Sequence, residues 1–189
     1  MDANDLKGLY AEVNKRMGAV IDHVRHELAG VRTGRASVAI LDGVQVMAYG
    51  SKMPLNQLAG LSVPEPTLIV AQPFDPSQLG AIEKAIRASD LGLNPANDGK
   101  VVRIPIPPLT DERRKELSRH VHKLAEEGRN SVRQVRRDAN ERLKKLLKDH
   151  KISEDDEKKG LEEVQKLTDG HIRQIDETQK KKDAELLSR

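Results

Sequence analysis

TDERRKELSRHVHKLAEEGRNSVRQVRRDANERLKKLLKDHK, Thr110 to Lys151, decides how this chain folds. Apolar or small residues recur at Leu117, Val121, Leu124, Gly128, Val132, Val135, Ala139, Leu143 and Leu146. Steps of three and four residues place them on one face of a helix. At about 1.5 Å per residue that helix is roughly 60 Å long. A stripe of this length needs partners that are themselves long helices.

Arg129, Arg133 and Arg136 each follow a seam position by one residue, and Arg137 is adjacent. One residue is about 100° of rotation, so these arginines flank the buried face. No acid interrupts them, and Leu109 to Lys151 carries 14 Lys+Arg against 8 Asp+Glu, a net of +6. Two readings stand. The row is a solvated helix face, or it is a surface for a polyanion.

Outward from this helix, the chain offers two further amphipathic segments. From Asp5 to about Val31, one face runs through Leu6, Leu9, Tyr10, Val13, Met17, Val20, Ile21, Val24 and Leu28. After a tight turn at Asp149 to Ile152, Ser153 and Asp156 have the spacing of a capping box. The helix they start has a seam through Leu161, Val164, Leu167, His171, Ile175 and Leu186. Thr110 is the expected N-cap of the central helix, with Asp111 and Glu112 at the positive end of its dipole.

Ser37 to Pro108 has another texture. Val44 to Tyr49 alternates as a strand does, Gly50-Ser51 reads as a turn, and Thr67 to Gln72 is a short buried strand. Asp75 caps a helix that ends before Gly92. Val101 to Ile106 is a last strand, whose Pro105 belongs at an edge. The predicted fold is therefore α+β: a long three-helix bundle, residues 1–33 and 106–189, with a small β/α/β domain, residues 34–105, inserted. Two linkers side by side, VRTGRAS and IPIPPLT, make a hinge that contains Thr33, Gly34, Pro105, Pro107 and Pro108 and whose paired strands restrict its axis.

Composition narrows the function. The chain has 189 residues, a net charge of +3 and no cysteine. Disulfides and thiolate metal sites are thereby excluded. Its only aromatics are Tyr10, Tyr49 and Phe74, too few for base-stacking platforms. Structured nucleic acid read through its backbone and shape fits better. No apolar run approaches the roughly 20 residues of a membrane span, and the N-terminus lacks a secretory core. A cytoplasmic location is expected. His23 and His26 have a metal-pair spacing, but without a third ligand nearby they read as surface or structural residues. No phosphate-binding glycine loop, HExxH or GxSxG is present, and the carboxylates lie in helical charge runs. No catalytic residue, cofactor or metal is expected.

VRTGRAS at Val31–Ser37, SDLGLNP at Ser89–Pro95, PPLTDERRKEL at Pro107–Leu117, VRRDAN at Val135–Asn140, KISEDD at Lys151–Asp156 and VQKLTD at Val164–Asp169 together resemble the ribosome recycling factor family. The resemblance spans nearly the whole chain. It implies an L-shaped pair of domains and a non-enzymatic translation factor. Such a factor binds the post-termination ribosome and, with elongation factor G and GTP, splits it into subunits so that mRNA and tRNA leave. It implies large-subunit rRNA and elongation factor G as partners, neither DNA nor membrane, and a monomer. The family's rRNA-contacting arginines fall on Arg133 and Arg136, with Arg137 adjacent and Arg129 on the same face. Its ERR pair falls on Arg113 and Arg114, and its hinge arginines on Arg32 and Arg35. Gly128 departs from the family, which more usually has Ala, and glycine costs about 1 kcal/mol inside a helix. The alternative is a structural coiled-coil or chaperone-like protein whose basic face is only solvated; an enzyme built on the β-rich domain is a third.

Overall fold

The computed structural model describes residues 3–187. The chain separates into two compact units. One joins the residues up to Thr33 to those from Asp111 onward; the other is Gly34–Thr110. The sequence reading placed 106–110 with the bundle, but these residues group with the sheet. Ile106 donates its N–H to the carbonyl of Thr67 at 2.7 Å, and its side chain is buried in the sheet unit's core.

The first unit is a three-helix bundle of α1 (Ala3–Ala29), α4 (Asp111–Lys148) and α5 (Glu154–Leu187), each packed on the other two. Their buried stripes meet along one core. α1 contributes Leu9, Val13, Met17, Ile21, Val24 and Leu28. α4 contributes Val121, Ala125, Gly128, Val132, Val135, Ala139 and Leu143. α5 contributes Gly160, Val164, Thr168, His171, Ile175, Gln179 and Leu186. Two polar members of this seam are satisfied locally: Thr168 Oγ1 donates to the carbonyl of Val164 at 2.8 Å, and His171 Nδ1 lies 2.7 Å from that of Leu167.

Eight residues of the predicted seam are only half-buried, Leu6, Tyr10, Leu117 and Leu146 at its ends among them. Leu124 is only half-buried, and Ala125 takes its place at the centre. Val20 is half-buried too, and with Leu124 it lines a cleft of about 380 Å³ between α1 and α4. Leu161 and Leu167 likewise sit at the rim, beside buried Gly160 and Thr168. Close helix approach is the cause. A Cβ on Gly128 would lie 2.4 Å from Val24 Cγ2, and one on Gly160 2.9 Å from Leu143 Cδ2. Small residues at the crossings bring backbones together and leave the larger neighbours at the margins.

Between α4 and α5 the chain reverses within a few residues. Asp149, His150 and Lys151 return hydrogen bonds to the carbonyls of Lys145, Leu147 and Leu146, with His150 at φ 54°. The capping box then forms as its spacing predicts. Ser153 Oγ accepts from the N–H of Asp156 at 3.1 Å, and Asp156 Oδ2 accepts from the N–H of Ser153 at 3.1 Å.

The second unit begins with a 3-10 turn at Val38–Leu41. A hairpin follows, β1 (Gln45–Ala48) and β2 (Ser51–Pro54), with Tyr49 and Gly50 at its tip. Both tip residues have positive φ, 52° and 79°, as a type I′ two-residue hairpin loop requires. A single turn, α2 (Leu55–Leu58), leads into β3 (Ala59–Glu65) and β4 (Leu68–Pro73). Next come α3 (Leu79–Ala88), the two-residue β5 (Ala96–Asn97) and β6 (Val102–Pro105). The larger sheet is antiparallel, in the order β3-β4-β6-β5. Ile82 and Ile86 of α3 share its core with Ile69, Ala71, Val102 and Ile104. Asp75 Oδ1 accepts from the N–H of Ser77 at 2.9 Å, so the predicted cap forms, but on the 3-10 turn Pro76–Gln78 that leads into α3; α3 itself starts after Gln78 without a side-chain cap. Pro105 pairs with Leu68, while β5 reaches only Val102 and Arg103. Its missing N–H therefore faces a side of β6 that no strand covers at that height.

Candidate nucleic-acid interface

The row of arginines on α4 lies where a one-residue offset from the seam puts it, on the side toward α5. Arg136 Nη1 donates to Gln165 Oε1 of α5 at 3.3 Å, and Arg137 is exposed. Arg133 is partly exposed, its side chain 37% accessible. Among the described residues only its Nη1 is engaged, donating to Glu126 Oε1 and to Asn130 Oδ1, each at 3.1 Å.

Arg129 is used differently. Its side chain is 17% accessible and all three of its nitrogens are engaged. Nε donates to Asp176 Oδ1 at 2.8 Å, Nη1 to Glu126 Oε2 at 2.9 Å, and Nη2 to Gln179 Oε1. Burial works against its charge, but the hydrogen bonds and charges of Glu126 and Asp176 outweigh it and hold its pKa above the usual value. The bonds from Arg129 and Arg133 hold the Glu126 carboxyl below its usual range. The polar seam continues: Gln179 Nε2 lies 2.9 Å from His122 Nδ1, and His122 Nε2 is 3.4 Å from Asp183 Oδ2. Arg129 is thus a strut between α4 and α5, which the sequence could not show because its α5 partners depend on the register set by the turn at 149–152. Glu126 was legible, three residues before Arg129 and seven before Arg133, a spacing that shares a helix face.

The remaining predicted residues are dispersed. Arg113 pairs with Glu116 at 2.8 Å near the start of α4, and Arg114 is half-buried. Arg32 and Arg35 are exposed on either side of the first crossing between units. Gly34, at φ 76°, stands against Leu109: a Cβ there would lie 2.9 Å from Leu109 Cγ. Pro105 closes β6 and Ile106 is core, so the second crossing starts later than predicted, after Thr110. His23 and His26 are both exposed, and among the described residues no cluster of His, Asp and Glu is placed to hold a metal ion. None of the helices among those residues is long and apolar enough to cross a membrane.

This arrangement is an array of guanidinium groups on a rigid helix, and its proportions recur elsewhere. The family model described as Ribosome recycling factor matches residues 24–187. The chain belongs to the ribosome recycling factor family. Among curated relatives, the ribosome-recycling factor of Bradyrhizobium diazoefficiens is 54% identical over 177 residues, 94% of each chain. That of Rubrobacter xylanophilus is 51% identical, covering 94% of this chain and 95% of its own. A solution structure of a ribosome recycling factor aligns with a TM-score of 0.75 and 45% identity, over 98% of both chains. A second solved structure aligns with a TM-score of 0.63 and 49% identity, over 97% of this chain and 99% of the other. It presents models of the T. thermophilus ribosome recycling factor and the E. coli elongation factor G bound to the E. coli post-termination complex.

Proposed function

We propose that this chain binds the post-termination ribosome and, with elongation factor G and GTP, splits it into subunits, releasing mRNA and tRNA. In this reading the protein is not an enzyme. It contributes binding energy and shape, while GTP is hydrolysed elsewhere. The observation that carries the reading is the near-full-length match to recycling factors, one of them assembled with elongation factor G on a post-termination complex.

The rRNA-binding surface is assigned to Arg133, Arg136 and Arg137, extended by Arg113 and Arg114. Guanidinium groups suit phosphate because the planar fork bonds two oxygens at once. Arg129 is left out of the contacting set, since each of its three nitrogens is held by Asp176, Glu126 or Gln179 and its side chain is largely buried. The hinge is assigned to the crossings around Arg32, Thr33, Gly34 and Arg35 and after Pro107 and Pro108.

A splitting assay with purified ribosomes, elongation factor G and GTP tests the function. Parent protein should yield free subunits; a failure to do so with an active elongation factor would refute the proposal. Ribosome binding tests the surface. Arg133→Ala with Arg136→Ala should leave the melting temperature nearly unchanged, as at exposed sites. Each should weaken binding by about 1–3 kcal/mol, as bonds to charged groups do, and make its salt dependence shallower. Arg173→Ala, on the exposed face of α5, is the control. Unchanged affinity in the double variant would leave the basic row a solvated face.

A further inference from the structure

We infer that Glu126 is a positioning residue for the rRNA-binding face: it fixes Arg133 by Nη1 and so presents the opposite edge of that guanidinium to a phosphate. The inference rests on the rRNA-binding reading of Arg133 and adds a residue that the arginine pattern does not contain.

The geometry is a relay across the bundle. Asp176 and Gln179 of α5 hold Arg129, whose side chain is only 17% accessible. Arg129 Nη1 holds one oxygen of Glu126, and the other oxygen receives Arg133 Nη1 at 3.1 Å. Asn130 Oδ1 accepts from the same Nη1. Among the described residues, both acceptors of Arg133 lie at this one nitrogen, which leaves Nε–H and Nη2–H uncommitted. Those two parallel donors form the edge that bonds an oxyanion in bidentate fashion. A long side chain free in water loses rotamer freedom when it binds. Arg133 has had part of that freedom removed, because its anchor is itself anchored to a second helix.

Charge alone predicts the opposite effect. Glu126 is an acid inside the row, so its removal raises the local positive charge and should strengthen attraction for any polyanion. The two views therefore differ in sign. If Glu126 positions Arg133, Glu126→Ala binds ribosomes several-fold more weakly than the parent at moderate salt, despite the added net charge. The same variant binds heparin, a polyanion with no fixed docking geometry, as tightly as the parent or more tightly. Glu126→Gln, which keeps an acceptor for Arg133, recovers part of the loss.

Glu126→Ala should be measured in both the parent and the Arg133→Ala background, with Arg136→Ala alongside. In the Arg133→Ala background it should have no further effect on ribosome binding, because the residue it positions is gone. An equal loss in both backgrounds would mean that Glu126 merely supports the helix, and would overturn the inference. So would ribosome binding by Glu126→Ala as tight as the parent's, or tighter. Arg136→Ala separates the two levels of failure. If it binds normally, the arginine face itself is wrong; if it binds weakly while Glu126→Ala does not, only the positioning role is lost.

Discussion

Arg129 and Arg136, two turns apart on one helix, differ in what surrounds them rather than in their chemistry. Arg129→Ala removes three donors and leaves the buried amide oxygen of Gln179 without its partner. A loss of about 1–3 kcal/mol in folding stability is expected from an orphaned buried group, and a thermal melt will show it. Arg136→Ala gives up one 3.3 Å bond to Gln165 on the surface and should melt with the parent. Equal melting of the two would show that the strut carries no load. Gly128 makes a second case. Alanine there regains about 1 kcal/mol of helix propensity, but its Cβ meets the stiff, buried Val24. Overpacking costs about 1–3 kcal/mol, so Gly128→Ala should lower stability. Combined with Val24→Ala, the same change should become neutral or favourable relative to Val24→Ala alone. A glycine that looked like a weak point in a helix is the position that lets α1 come close.

The start of α5 is an element whose stability is tied to pH. Hydrogen bonds from the hydroxyl and N–H of Ser153 hold the Asp156 carboxyl below its usual range. A carboxyl with a lowered folded pKa adds stability above its unfolded pKa, and the contribution disappears as pH falls through the folded value. Asp156→Asn should therefore destabilise the bundle at neutral pH and flatten the acid side of its stability profile. Unfolding followed by helix circular dichroism from neutral pH to below the ordinary carboxylate range checks this, and an unchanged acid limb would count against the cap. Ser153→Ala should cost about 0.5–2 kcal/mol as a lost N-cap. This capping box was readable because its signal is local: two residues, three apart. The strand β3 was not. Its burial runs from one buried residue into a mostly exposed stretch, with Gly60 and Pro64 inside, so no alternation marks it. β5 has two residues and exists only because β6 passes beside it. Leu124 and Ala125 were exchanged for a related reason: hydrophobic size ranks them one way, and the closeness of α1 ranks them the other.

Taken whole, the molecule has two hydrophobic cores in separate units. Leu143→Ala should lower the stability of the bundle, and Ile82→Ala that of the sheet unit, each by about 2–5 kcal/mol as fully buried sites do. Hydrogen exchange resolved by segment will show each loss confined to its own unit; a loss shared evenly would mean that the two unfold as one. The arginine row was legible because it stands one residue from a periodic seam. Its supports on α5 were not, because nothing in the sequence of α4 says which α5 residue lies opposite.

The bundle is also discontinuous, and a chain is made from one end. α1 emerges first, with Leu9, Val13, Met17, Ile21, Val24 and Leu28 on one side and nothing to cover them. The sheet unit, wholly encoded by 34–110, is complete before any of α4 exists. At about 5–20 residues per second, α1 therefore stays unpartnered for several seconds before α4 begins, and longer before α5 closes the core. The apolar stripe that ends buried in the bundle core is uncovered during that part of synthesis. For that interval it is the segment of the nascent chain that a chaperone would find first.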